Sequence, residues 1–286
     1  MAEAHIGISG WTYPPWRGDF YPPKLPHKRE LAYAASRLGS IEVNGTFYGL
    51  LRPTTFAGWV GEVPDDFVFA VKGSRFITHL KKLADVEVPL ANFFASGVLA
   101  LDRKLGPLLW QLPPNLGFDS ARLSDFFDQL PRSLGAAASL AREHDQRIPA
   151  DRELVHAVHP RHRLRHALEV RHDSFRKPVL LSVLREHRIA LVLADNPGNW
   201  PVMDETTTSF RYVRLHGDTE LYASGYSEEA LDSWATRIRA WSEAGQDVYV
   251  YCDNDAKVRA PYDAMGLMGR LGIRPTPSPE NGEAGR

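Results

Sequence analysis

Cysteine is all but missing: Cys252 is the single thiol in 286 residues. No internal disulfide can form, and no metal site can rest on several thiolates. A surplus of either charge is missing too. With 34 basic and 35 acidic residues the formal net charge is -1, which gives no overall field to gather nucleic acid or anionic membrane. Such binding would need a local patch. No run approaches the roughly 18 apolar residues of a membrane-spanning helix. The first residues lack the basic and apolar regions of a secretory leader. Gly7-Ile-Ser-Gly10 departs from the G-x-G-x-x-G dinucleotide pattern, and there is no H-E-x-x-H. These absences predict a soluble protein of a reducing, cytoplasmic compartment with no membrane partner.

What is present is alternation. Strand-like runs occur at Ile6 to Trp11, Ser40 to Tyr48, Phe67 to Lys72, Gly106 to Leu112, within Arg165 to Ser174, at Ile189 to Asp195, Phe210 to Gly217 and from Asp247. Most are separated by segments with helical apolar spacing. Examples are Lys28 to Leu38, Thr54 to Val63, Asn92 to Leu105 with Asn92 as cap, and Ser120 to Leu130 starting from Ser120. Ser227 to Ala244 reads as a long helix with Ser227 as N-cap and Gly245 as stop. About eight strands alternating with helices predict an α/β fold, a single (β/α)8 TIM-barrel-like domain over 1–274. A disordered tail is predicted over 275–286. Pro131 to His166, with His and Arg crowded at its end, reads as a charged, solvated connection.

In such a barrel the site is built at the C-terminal ends of the strands. Those ends carry Ser9 and Trp11; Asn44, Thr46 and Tyr48; Lys72, Arg75 and His79; Gln111; Glu169, Arg171 and His172; Asp195; Arg214 and His216; and Asn254 and Asp255. The Glu169/Arg171 face and the Arg214/His216 face alternate with apolar ones, so both polar faces need interior partners.

Gly7-Ile-Ser-Gly-Trp11, Glu42-Val-Asn44 with Thr46-Phe-Tyr48, Ile77-Thr-His79, Gln111-Leu-Pro-Pro114, Glu169-Val-Arg-His172 and Arg214-Leu-His-Gly217 together resemble the YecE-like family, domain of unknown function 72. The resemblance runs from about Ile6 to Gly272 and implies a TIM-barrel-like fold. It implies no reaction, because the family's activity is unassigned. Two positions depart from the family pattern: Ser174-Phe175 stands where Ser-Trp is usual, and Cys252-Asp-Asn-Asp255 where Phe-Asn-Asn-Asp is usual.

Chemically, Arg171 and Arg214 can grip a carboxylate or phosphate at two points. His216 or His79 can move a proton near neutral pH, with Glu169 orienting or acting as base. The expectation is a small anionic ligand, phosphorylated or nucleotide-like, held at the C-terminal mouth, with phosphoester hydrolysis as the first reaction class to test. The alternatives are a non-catalytic nucleic-acid-binding protein and a carbohydrate isomerase or hydrolase. A divalent metal on His79, Glu169, His216 and Asp255 is disfavoured by the neighbouring arginines and by the lack of a local motif. No oligomeric state is read from the Leu and Trp positions of the Ser227 to Ala244 helix, because barrel packing explains them equally well.

Overall fold

The structure is a computed structural model that describes residues 2–276. Most of the predicted tail therefore lies outside the described residues. Among the described residues, eight parallel strands close a barrel in chain order: β1 Ala4–Ser9, β2 Ser40–Val43, β3 Val68–Lys72, β4 Leu105–Gln111, β5 His166–Glu169, β6 Ile189–Asp195, β7 Phe210–Leu215 and β8 Asp247–Cys252. The helices between them are α1 Glu30–Ala35, α2 Gly45–Tyr48, α3 Pro53–Glu62, α4 Glu87–Ala95, α5 Ser120–Asp128, α6 Leu134–Ala141, α7 Pro178–Glu186, α8 Glu228–Glu243 and α9 Arg259–Leu271. This is the (β/α)8 architecture that the alternation predicts.

Packing divides the chain into two compact units, one of residues up to Glu42, Glu62–Val68 and from Leu191 on, the other of Val43–Gly61 and Phe69–Ala190. In the first unit β1 pairs with β2 and β8, and β8 with β7, in parallel register. Alternation sorts the side chains. Val248, Val250 and Cys252 share one face of β8 with no exposure, while Tyr249 and Tyr251 share the other. The apolar stripes of α8 (Leu231, Trp234, Ile238) and α9 (Ala264, Leu267, Met268) are buried in turn. Gly7 of β1 faces Ser40 so closely that an added Cβ would stand 2.0 Å from the Ser40 carbonyl oxygen. Only glycine permits that approach.

In the second unit β3, β4 and β5 pair in order. Trp110 of β4 packs edge-on against Phe126 of α5 at 5.2 Å and near-parallel to His166 of β5 at 6.2 Å. Its indole N–H donates to His166 Nδ1 at 3.1 Å, while His166 Nε2 stands 2.8 Å from the Pro131 carbonyl. With Nδ1 accepting, Nε2 must carry the proton and donate to that carbonyl. Burial pushes the imidazole down to about 3 and keeps it neutral.

Several boundaries differ from the sequence expectation for local reasons. Asn92 is not a cap: α4 starts five residues earlier, with Pro89 in its first turn. The Asn92 side chain instead exchanges hydrogen bonds with Asp145 at 3.1 and 3.0 Å. The same helix stops at Ala95 because Gly97 turns at φ 121°, and a 3-10 segment, Val98–Lys104, follows. α5 does start at Ser120 as expected, with Asp119 before it as the cap, accepting from Arg122 N at 3.1 Å. Ser227 caps α8 as expected, accepting from Ala230 N at 3.1 Å. The connection from Pro131 to His166 contains α6 and ends inside β5, where His166 is fully buried.

Candidate functional site

In the first unit the polar faces of four strands meet around Arg214, which is completely buried. Tyr212, Arg214 and His216 alternate along β7 and its end, so one face delivers all three. A buried guanidinium is tolerable only with full charge and hydrogen-bond compensation. Glu42 of β2 supplies it at two points, accepting from Nε at 3.1 Å and Nη2 at 2.8 Å. Asp253, just past β8, accepts from Nη2 at 2.9 Å, and Ser9 at the end of β1 stands 3.0 Å from the same nitrogen. The Glu42 carboxylate also accepts from the Ser9 hydroxyl and, at 2.5 Å, from Tyr212 OH.

Around this core, His216 Nδ1 lies 2.9 Å from Asp253 Oδ2, with Trp200 and Tyr222 edge-on to its ring at 5.1 and 5.4 Å. Asp195 accepts from Tyr226 OH at 2.7 Å, and burial raises its carboxyl above the usual range. Asp255 is raised likewise, first by burial and then by the Asp253 charge. Asn254 braces the following turn, donating to Asp263 at 2.6 Å and to the Ser224 carbonyl at 2.8 Å. The Trp11 carbonyl accepts from Tyr21 OH at 2.6 Å.

The second unit assembles a different set at the ends of β3 and β5. Glu169, the last residue of β5, is fully buried and accepts from Arg171 Nε at 2.6 Å. Lys72 closes β3. Its carbonyl accepts from Thr46 Oγ1 at 2.7 Å, and its ammonium sits 4.4 Å above the Phe47 ring. After β3 the chain makes a π-helical turn, Phe76–Leu80, a form often found where function bends a helix. That turn brings His79 edge-on to Phe47 at 5.0 Å, with Thr78 Oγ1 at 2.8 Å from Nδ1. Burial, then the charges of Lys72, Arg171 and Arg75, push His79 down to about 4. Asn44 and Gln111 stand at the ends of β2 and β4, whereas Tyr48 is exposed on α2. His172 caps a short turn through Ser174, its Nδ1 2.8 Å from the Ser174 hydroxyl. Among the described residues no three of His, Cys, Asp and Glu converge as a metal site requires.

The family model described as "Protein of unknown function DUF72" matches residues 5–283. The chain belongs to the DUF72 family. Relatives include UPF0759 protein YunF of Bacillus subtilis, 22% identical across 94% of this chain and 95% of that protein. UPF0759 protein YecE of Escherichia coli is 28% identical over 44% of each chain. A crystal structure of a DUF72 protein from Thermotoga maritima superposes with a TM-score of 0.72 at 24% identity, covering 94% of this chain and 99% of that one. One from Enterococcus faecalis does so at 0.71 and 18%, covering 94% and 96%. These likenesses establish the shared DUF72 barrel fold.

Sequence reasoning overlooked Tyr212, although its spacing two residues before Arg214 put it on the same face. Asp253, which the departure from Phe-Asn-Asn-Asp puts in place of an asparagine, partners Arg214 and His216, a pairing that the sequence analysis does not name. Its position directly after β8 was the available signal.

Proposed function

We propose that the chain binds a small anionic ligand, phosphorylated or nucleotide-like, at the ends of β3 and β5. The observation that carries this reading is the concentration of Lys72, Arg75 and Arg171 around His79, with Glu169 as the buried carboxylate beside them. Three cations gathered around one imidazole make a local potential that favours a ligand bearing negative charge. The anion grip is assigned to Arg171 rather than Arg214, because the Arg214 guanidinium is turned inward onto Glu42, Asp253 and Ser9. Glu169 engages Nε of Arg171 and so fixes the plane in which the guanidinium meets an oxyanion.

Phosphoester hydrolysis is the reaction class this arrangement suits. His79 is neutral in the free protein; a bound phosphoryl group offsets the cations that lower its midpoint, and the imidazole would then accept a proton as water attacks phosphorus. As the ester P–O bond breaks, the departing alkoxide would take that proton from His79, leaving an alcohol and inorganic phosphate, while Lys72 and Arg171 offset the growing charge. The test is a melting-temperature screen against phosphate esters and nucleotides. A rise in Tm with a phosphorylated compound that disappears in Arg171→Ala supports the reading. Equal shifts in both proteins, or none in either, refute it.

A further inference from the structure

Beside the cationic cluster, in the same unit, lies a cleft of about 430 Å³ whose walls include Tyr48, Leu50, Phe76 and Leu80, with Arg75 and Arg147 at its edge. That volume is in the range of small-ligand sites. Its chemistry is unusual for a surface. Among the described residues eight large hydrophobic side chains are exposed, and three of them, Tyr48 at 72%, Leu50 at 40% and Leu80 at 63%, line this one cleft. Exposed apolar groups gathered in a concavity mark a binding surface rather than chance. The Arg147 guanidinium lies 5.3 Å from the Phe76 ring centre, a pairing that gives one edge a flat, charged lip.

The cleft is joined to the cluster by direct contacts. Tyr48 packs edge-on to Phe47 at 5.1 Å, and Phe47 carries Lys72 on its face and His79 at its edge. Leu80 directly follows His79 on the π-helical turn. A ligand with its charge at Lys72 and Arg171 therefore has its remaining atoms beside apolar walls. A bare oxyanion or a polar glycerol ester would leave those walls wet, whereas an apolar substituent would bury them favourably.

We infer that the cleft selects the uncharged portion of the ligand, which is then a phosphate ester of an alcohol bearing an apolar ring or short chain. This inference rests on the anion-binding reading above. The test is calorimetric titration of the full chain with inorganic phosphate, glycerol phosphate and phenyl phosphate. Phenyl phosphate is expected to bind about tenfold more tightly than the other two. Leu80→Ser and Leu50→Ser, both at exposed positions, are expected to erase that advantage while inorganic phosphate still binds.

Equal affinities for the three ligands overturn the inference and leave the anion site standing. A preference that survives both substitutions places the apolar portion elsewhere and also overturns it. Concentration-dependent self-association in sedimentation that vanishes in Leu80→Ser would show a second copy of the chain in the cleft, again against the inference. Silence with all three ligands removes the anion-binding reading, and the inference falls with it.

Discussion

Glu42 and His79 show two opposite ways of handling charge inside this protein. Glu42 is locked, accepting from Arg214, Tyr212 and Ser9 with no exposure. Glu42→Gln removes the charge that compensates a buried guanidinium and should cost roughly 3–5 kcal/mol, read by urea denaturation. Tyr212→Phe deletes one hydrogen bond to the same carboxylate and should cost about 1 kcal/mol. A Glu42→Gln protein as stable as the parent would show that Arg214 finds its compensation elsewhere.

His79 is instead kept uncharged. Its midpoint is near 4 where 6.5 is ordinary. Between those values an unfolded chain binds a proton that the folded one refuses. Its contribution to stability is therefore intact above the ordinary value and declines as pH falls from there toward the folded midpoint. An NMR titration of the ring should show the low midpoint, and Lys72→Ala or Arg171→Ala should raise it by removing a repelling charge. A midpoint unmoved by both substitutions would leave burial and Arg75 as the causes.

Among the helices and strands, some features were plain in the sequence and others were not. Alternation exposed the eight strands, and the polar strand ends named Arg171, Arg214, His79 and His216. Ser227 was recognisable as a cap because a hydroxyl stood directly before a helical apolar pattern. Ser227→Ala should lower stability by about 1 kcal/mol. What stayed hidden depends on contacts distant in sequence. No local pattern tells that Glu42 rather than Glu169 meets Arg214, since the two residues are 172 apart. The π-helical turn that presents His79 is a small irregularity with no period of its own, and Pro89 concealed the start of α4 by standing inside it. Gly7 belongs to the same group, being an ordinary strand glycine until its pairing with Ser40 is known. Gly7→Ala should cost roughly 3 kcal/mol, because the β1 and β2 backbones must move apart.

For the chain taken entire, a net charge of -1 supplies no overall field for a polyanion, so salt dependence is the measurement that tells a small ligand from a nucleic-acid strand. A strand held through six or more phosphates loses roughly a thousandfold in affinity between about 50 and 200 mM salt. A single phosphate ester seated on Lys72 and Arg171 should respond far less, and a steep salt dependence would favour a polymeric ligand. Among the described residues no helix is long and apolar enough to cross a membrane.

Cys252 gives this barrel a built-in reporter. It ends β8 with no exposure, and burial holds its thiol well above the usual range. A thiol reagent can reach the sulfur only when β8 opens, and no second thiol in the chain competes for it. The labelling rate of the unaltered protein thus measures how often the barrel breathes, and a ligand that binds only the closed form should slow that rate in proportion to its occupancy.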